Sequence, residues 1–593
     1  MFILKKIKNI RLLFAIIKEV CPFRIFFSFL TIIIERTNSI LFSVLLIKYI
    51  VDNFDAGLKL ENIVLIFTFC GVFQIITKLI STYYKNIYLP VSNIKIEKHI
   101  RNMIYDKARK IDLASYDSPE IYSKFTLAMS DSSARIIELY ENMVTFVGTF
   151  YMVITIGLII ISIQPIFLIL ILIPQFVNLI IGKRFNRIQY KYNNEQIQNQ
   201  RIRDYVNRCF YYKEYTLDQR TTEIHNSLFR FYKDSTSDLL GIIKRYSKKV
   251  VLFIYIYMTS SDVIVYLGGI LFSVISVFVF HSMTISGCIV IINTLVNMCG
   301  AIWQIGGVYI KIDRDILFLD NFIDFLDCSV EIENGTEAFP KKDRSISLDK
   351  VTFRYPNSEK NIFEDLTCEI PYGQKVAIVG INGVGKTTLI KLLLRLYDPT
   401  EGNILCGQQN IKTYNLNDYR RSFGVLFQDF QLYAFSLANN ISMDIDYNES
   451  DVLNAISMVK LQGKVEQYNI LYSQMITNDI DEAGMQFSKG ESQKLALSRL
   501  FYKDYSYIIL DEPFSNLDLF TEKSIYDNLM ANFREKTVIV ISHRLASISG
   551  FDKIIVMEEG QIIEAGTHQQ LMETGGLYCT MFNKQADAYK DGE

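Results

Sequence analysis

Long uninterrupted apolar runs fill the first half of the chain, and short apolar runs bounded by polar residues fill the second. Six runs, near 24–51, 63–90, 138–162, 166–184, 250–279 and 284–308, are each long enough to cross a bilayer core of roughly 30 Å as a helix. Gln164 and Pro165 interrupt the third and fourth runs, which predicts a very short turn there. Ahead of the runs, "MFILKKIKNIRLLFAIIKEV" mixes Lys5, Lys6, Lys8 and Arg11 with Ile and Leu. No small-residue cleavage site follows, so this is not read as a cleavable signal. Phe2, Ile7, Ile10, Leu13, Phe14 and Ile17 share one helical face, which predicts an amphipathic helix on the membrane surface over 1–20.

The connections set an orientation. The long ones, 91–137 and 185–249, are rich in Lys and Arg, whereas the short "DNFDAGLKLEN" is net acidic. The positive-inside tendency then puts the long loops and both termini in the cytoplasm. These loops have helical pattern, so they read as stalks. "NIKIEKHIRNMIYDKARKI" extends the second run, a turn is expected at Asp117–Pro119, and "YYKEYTLDQRTTEI" interrupts two polar helices. Glu35 and Arg36 inside the first run should face the bundle interior or water, since each costs a few kcal/mol against lipid. They are expected to pair with each other, lie near the interface, or touch a substrate.

Polarity rises after Asp327, giving a membrane domain over 21–327, a linker over 328–345 and a soluble domain over 346–593. There the pattern becomes chemical. "KVAIVG" predicts a buried strand, and it runs into Gly380, Asn382, Gly383, Val384, Gly385, Lys386, Thr387 and Thr388. This G-x-x-x-x-G-K-T between strand and helix cradles phosphates on backbone amides. Lys386 is placed for the β- and γ-phosphates of ATP, and Thr387 for Mg²⁺. "YIILDEP" predicts a second buried strand ending at Asp511, a Mg²⁺ ligand, and Glu512, which would polarise the attacking water. "VIVISHR" adds a strand ending at His543, a γ-phosphate contact.

Half of the 593 residues are hydrophobic and 21% are charged, which suits a membrane part joined to a soluble part. A net charge of −1 offers no bulk attraction to nucleic acid, so no nucleic-acid partner is expected. Nine scattered cysteines without a CxxC pair read as reduced thiols, and five histidines do not make a rich metal site. Abundant Ile, Lys, Asn and Tyr fit an AT-rich bacterial genome.

On these residues the chain resembles an ATP-binding cassette exporter half-transporter of the bacterial peptide, multidrug or lipid type. The resemblance spans nearly the whole chain. It implies a six-helix all-α transmembrane domain with long cytoplasmic extensions, followed by an α/β P-loop ATPase domain. It also implies that Tyr355 in "FRYP" stacks on adenine and that Gln428 in "LFQDF" joins the Mg²⁺ and catalytic groups. "FSKGE" is similar to the signature usually written LSGGQ. That puts Ser488, Gly490 and Glu491 against ATP held by a second half-transporter subunit, and "SNLD" (Ser515–Asp518) at the dimer contact. "ASYDSPEIYSKF" and "YYKEYTLDQRTTEI" match coupling helices, and no N-terminal peptidase domain is expected.

Ser488 and Glu491 form an S-x-x-E capping box, so a helix should begin at Lys489. Lysine there departs from glycine, but the first helical position has negative φ and needs no glycine. Its charge opposes the helix dipole by about 0.3–1 kcal/mol. One cassette cannot complete an ATP site, so a dimer is required. A homodimer is expected because Lys386, Asp511, Glu512 and His543 occur together. Half of a heterodimer, with Lys489 as its degenerate mark, is the alternative. A modified peptide is the expected substrate, in contact with membrane lipid, with lipid or hydrophobic drug as alternatives. An ATP-gated channel or a membrane-tethered regulatory ATPase is the non-transport reading.

Overall fold

The computed structural model describes all residues except 1, 55–59, 119–120, 122–124, 127, 130–131, 329–331, 341–343, 357, 468–469, 471 and 591–593. The chain divides into two compact units, 1–106 with 126–326, and 107–125 with 327–593. The first loop tip therefore groups with the second unit, whereas a cut by chain order would leave it in the membrane segment.

The first unit is helical. Four of its helices are long and apolar enough to cross a membrane among the described residues: Pro22–Asn53, Ile63–Lys110, Ser132–Ile163 and Ile285–Leu326. The remaining expected spans, 166–184 and 250–279, fall on Ile166–Tyr211 and on Ile224–Ser261, which continues through a π-helical turn into Gly268–Phe278. The side chains of the first of these lie largely outside the described set, so the count of six stays an expectation. Ile166–Tyr211 has 46 residues and is roughly 70 Å long, more than twice the bilayer core. Its polar half is the predicted stalk. At the tip a 3₁₀ turn, Lys213–Tyr215, and a short helix, Thr216–Thr221, replace the long helix. The core is built mainly by the helices of the third and last spans, with Met152, Ile156 and Ile160 in one cluster with Val290, Ile291 and Leu295.

The first helix, Phe2–Val20, packs partly on its own chain. Leu13, Ile16 and Ile17 are buried by protein, Lys6 pairs with Asp313 at 2.9 Å, and Asn9 donates to Asp320. Part of its apolar face is thus covered by this chain, while Ile7 on the same face stays exposed. Glu35 and Arg36 do not pair with each other. Neighbouring residues on a helix point about 100° apart, and each meets a different helix. Glu35 pairs with Lys85 and accepts from Ser81, while Arg36 donates to Gln304 at 2.9 Å.

The second unit carries two sheets. Its strands are β1 (Ile346–Phe353), β2 (Phe363–Ile370), β3 (Lys375–Gly380), β4 (Glu401–Cys406), β5 (Gln409–Asn410), β6 (Phe423–Leu426), β7 (Tyr507–Asp511), β8 (Thr537–Ile541), β9 (Lys553–Glu558) and β10 (Gln561–Gly566). An antiparallel sheet has order β2-β1-β4-β5, and a larger one has order β10-β9-β3-β8-β7-β6. In the larger sheet β9, β3, β8, β7 and β6 are parallel. Every residue of β7 and β8 is buried, which is why both read as unbroken apolar runs. The loop segment 107–125 is tied to this unit by Asp112, which accepts from Ile332 N at 3.1 Å, and by Asp117, which accepts from Tyr397 at 2.5 Å. Ala114 packs against the sheet core. The expected turn at Asp117–Pro119 lies partly outside the described residues.

Candidate functional site

Parallel strands end together, and the crevice beyond their carboxyl ends is where open α/β sheets bind ligands. Four strand ends meet here. The loop Gly380–Gly385 follows β3, Gln428 follows β6, Asp511 and Glu512 close β7, and His543 stands two residues beyond β8. The strand carrying His543 thus stops at Ile541, slightly earlier than the sequence suggested.

The phosphate loop needs its glycines at defined points. Gly385 has φ +101°, and a Cβ there would lie 2.6 Å from the Phe363 ring. Asn382, Gly383 and Val384 complete the loop, and the helix Lys386–Leu393 begins immediately after it. Lys386 Nζ donates to Gly380 O at 2.9 Å and Ile381 O at 3.0 Å, curling across the loop. Burial pulls its pKa below the ordinary lysine value, against the pull of Glu512 and Asp511. Thr387 Oγ1 donates to Asp511 Oδ2 at 2.9 Å. Burial pushes the Asp511 carboxyl up; the Thr387 hydrogen bond opposes this and Glu512 adds to it.

Glu512 is held from both sides. Gln428 Nε2 donates to Oε2 at 3.0 Å, and His543 Nε2 lies 2.8 Å from Oε1. Its φ is +47°, a left-handed conformation that costs a non-glycine residue about 1–3 kcal/mol. The Glu512 N–H bond to Ile541 O, at 3.0 Å, anchors that turn to β8. Tyr355 hydroxyl lies 2.9 Å from Thr388 Oγ1, and its ring packs edge-on against Phe353 and Tyr397. Tyr355 lines a cleft of about 740 Å³ with Arg354, Ser358, Asp398 and Thr400.

Ser488, Gly490 and Glu491 form a second group. The helix Lys489–Tyr502 starts at the predicted residue with both capping-box bonds present. Ser488 Oγ accepts from Glu491 N at 3.3 Å, and Glu491 Oε2 accepts from Ser488 N at 2.8 Å. Lys489 is exposed. Two residues of this group were not legible in the sequence. Lys464 pairs with Glu491 at 2.5 Å and stands 4.6 Å from the centre of the Phe487 ring. Burial raises the Glu491 pKa, but Lys464 and the Ser488 bonds outweigh it and hold the carboxyl below its usual range. Buried Gln493 accepts from Asn516 N at 3.0 Å and donates to Ser515 Oγ at 3.4 Å, tying the helix to the "SNLD" loop. Gln493 lies one turn beyond Gly490 on the same face, which was the available signal; Lys464, in a separate helix, gave none. A Cβ on Gly490 would lie 2.9 Å from Asn516 O.

Among the described residues, no group of three His, Cys, Asp or Glu could cage a metal ion alone. Mg²⁺ does not need one, since it usually takes one or two carboxylates or hydroxyls together with substrate phosphates and water. The Thr387–Asp511 pair, with its buried carboxylate beside the phosphate loop, fits that demand.

Comparison with known proteins agrees with this layout. Residues 23–203 match the ABC transporter transmembrane region, and residues 363–515 match the ABC transporter family model. The subtilin transport ATP-binding protein SpaT of Bacillus subtilis is 27% identical over 98% of this chain and 94% of its own. A mitochondrial iron-sulfur clusters transporter atm1 of Aspergillus fumigatus is 32% identical over 50% of this chain, and an ATP-dependent lipid A-core flippase of Haemophilus ducreyi is 31% identical over 51%. The chain spans about half the length of those two curated relatives, 41% and 52%. The solved structure of a bacterial Atm1-family ABC exporter with ATP bound has the same fold, with a TM-score of 0.76 at 20% identity over 96% of this chain and 99% of that one. With an ABC transporter transmembrane region and an ABC transporter ATPase domain in a single polypeptide, the protein belongs to the ABC transporter family.

Proposed function

We propose that the protein exports a modified peptide across a bacterial cell membrane, driven by ATP, as a dimer with cytoplasmic termini. The observation that carries the ATP chemistry is Glu512, fixed between Gln428 and His543 beside the phosphate loop. In this reading the loop amides and Lys386 bind the phosphates, and Lys386 trades its two carbonyl partners for phosphate oxygens. Thr387 and Asp511, with Gln428 nearby, would hold Mg²⁺, which supplies charge neutralisation when bound. Glu512 takes the proton of the attacking water, and His543 keeps its carboxylate aimed while facing the γ-phosphate. Tyr355 supplies the stacking surface for adenine. Ser488, Gly490 and the amide end of their helix close on the ATP of the other subunit.

A dimer is supported by the second loop tip, where Tyr211 and Leu217 are 85% and 75% exposed, apolar surface suited to a partner. A homodimer follows from the intact catalytic set in one chain. The peptide reading rests on the end-to-end match with the subtilin transport protein. A lipid substrate is the second reading, favoured by the match with the lipid A-core flippase. ATP-dependent uptake into inverted vesicles, with a lanthionine-bridged peptide and a fluorescent lipid as competing cargoes, tests both. Uptake of neither, with intact ATPase activity, would turn the assignment toward a channel or regulatory ATPase.

A further inference from the structure

The first and last candidate membrane spans share a polar seam. Arg36 Nη2 donates to Gln304 Oε1 at 2.9 Å and to Thr149 Oγ1 at 3.3 Å. Its Nη1 stands 4.0 Å from Met152 Sδ, and its buried Nε has no hydrogen-bond partner. All these contacts are neutral. The adjacent carboxylate, Glu35, is engaged by Lys85 and Ser81 of the second span. Below Arg36 the seam continues with Asn297, which donates to Ser43 Oγ at 3.3 Å. The last span leaves room along it, since a Cβ on Gly300 or Gly307 would meet no atom within 4 Å.

A guanidinium inside a membrane span is expensive unless it serves a partner or a path. Here it is positive, held in place by three helices, and still short of an acceptor. An arriving carboxylate or phosphate would gain charge-assisted, two-pronged hydrogen bonds in a medium that screens little. We propose that Arg36, with Gln304 and Thr149, binds an anionic group of the exported substrate. The inference rests on the export reading above and adds to it a charge requirement. Gln304 and Thr149 are positioning residues that keep the guanidinium extended toward the last span. The occupant is an amphiphile that presents a carboxylate, such as a peptide C-terminus, or a phosphate.

Trp303 is the only tryptophan in the sequence, sits beside Gln304 and is 47% exposed, so it reports on this seam directly. The test is energy transfer from Trp303 in the full-length protein in nanodiscs to a dansyl-labelled tripeptide, Leu-Leu-Phe, with a free C-terminal carboxylate or an amide. The acid should bind roughly ten-fold tighter than the amide or better, the scale of one hydrogen-bonded charge pair. Arg36→Gln should bring the ratio near one, and Arg36→Lys should restore part of it. Equal affinity of the two peptides in the unsubstituted protein overturns the proposal, as does an unchanged ratio in Arg36→Gln with an unaltered thermal midpoint. Competition by dodecanoate and dodecyl phosphate separates the sources: the stronger competitor identifies a peptide carboxylate or a lipid phosphate. Binding is read without turnover. Charge-selective binding without ATP-driven uptake would sink the export reading alone, and uptake blind to charge would sink this one alone.

Discussion

The phosphate loop and the helix that begins at Lys489, both proposed to act on ATP, are finished differently. Around the loop, acceptors and donors satisfy one another: Lys386 on loop carbonyls, Thr387 on Asp511, Gln428 and His543 on Glu512. At the signature helix the carboxylate is consumed inward, by the cap and Lys464, while Ser488 and Lys489 stand exposed. The first is a site that a single chain can assemble. The second is a surface, shaped from behind by Gln493 and the Ser515–Asn516 loop, with its helix end turned outward. Damage to the first should act within one chain, and damage to the second should act on an assembly.

The largest effect is expected at Glu512. Glu512→Gln should lower ATP turnover about 100-fold or more, the usual weight of a general base, while ATP binding persists. Wild-type turnover in the purified variant would remove Glu512 from the chemistry. Gly490→Ala comes next. Its new methyl meets Asn516 O, so the loop must shift, and overpacking of this kind costs about 1–3 kcal/mol. Turnover should fall while single-chain nucleotide binding, measured by a fluorescent ATP analogue, stays intact. If both fall together, the two regions are not separable in the way argued. Gly490→Asp would mix this clash with charge repulsion, so alanine is the cleaner probe.

Lys464→Met sharpens the comparison through pH. Glu491 has a depressed pKa in the folded protein, so its contribution to stability is present above the unfolded carboxylate value, about 4.3, and is lost as pH falls through the lower folded value. The thermal midpoint of Lys464→Met should therefore lie below wild type at neutral pH, with the gap closing below pH about 4. A gap independent of pH would mean that Lys464 acts by packing on Phe487 alone. The smallest effect belongs to Lys489→Gly. The side chain is exposed and its dipole penalty is about 0.3–1 kcal/mol at most. ATPase turnover should change less than about two-fold; a large loss of ATP-driven closure would place the ammonium on the nucleotide.

What the sequence made legible was local. The loop Gly380–Thr388 and the cap Ser488–Glu491 are contiguous, and their backbone geometry follows from residue type within a few positions. The runs at β7 and β8 were readable because both faces are buried. Pairings across helices were not readable. Which residues of other helices Glu35 and Arg36 meet, Lys85 or Gln304, depends on helix rotation, and hydrophobicity leaves that free. The same holds for the first helix, whose apolar pattern does not say that Leu13, Ile16 and Ile17 pack on this chain. Lys464 and Glu491 are 27 positions apart, with no pattern to join them.

The second unit is made from two stretches with roughly 200 residues between them. At the ribosome, Asp112, Ala114 and Asp117 are made well before Ile332 and Tyr397. At about 5–20 residues per second the gap is roughly ten to forty seconds. During that interval the loop tip has no docking surface from its own chain. A fragment starting at residue 327 would never acquire the tip, leaving Tyr397 without its carboxylate. The order of synthesis therefore makes the membrane segment wait for the ATPase, and a pause or truncation upstream of residue 397 would release a loop tip that any quality-control protease could reach.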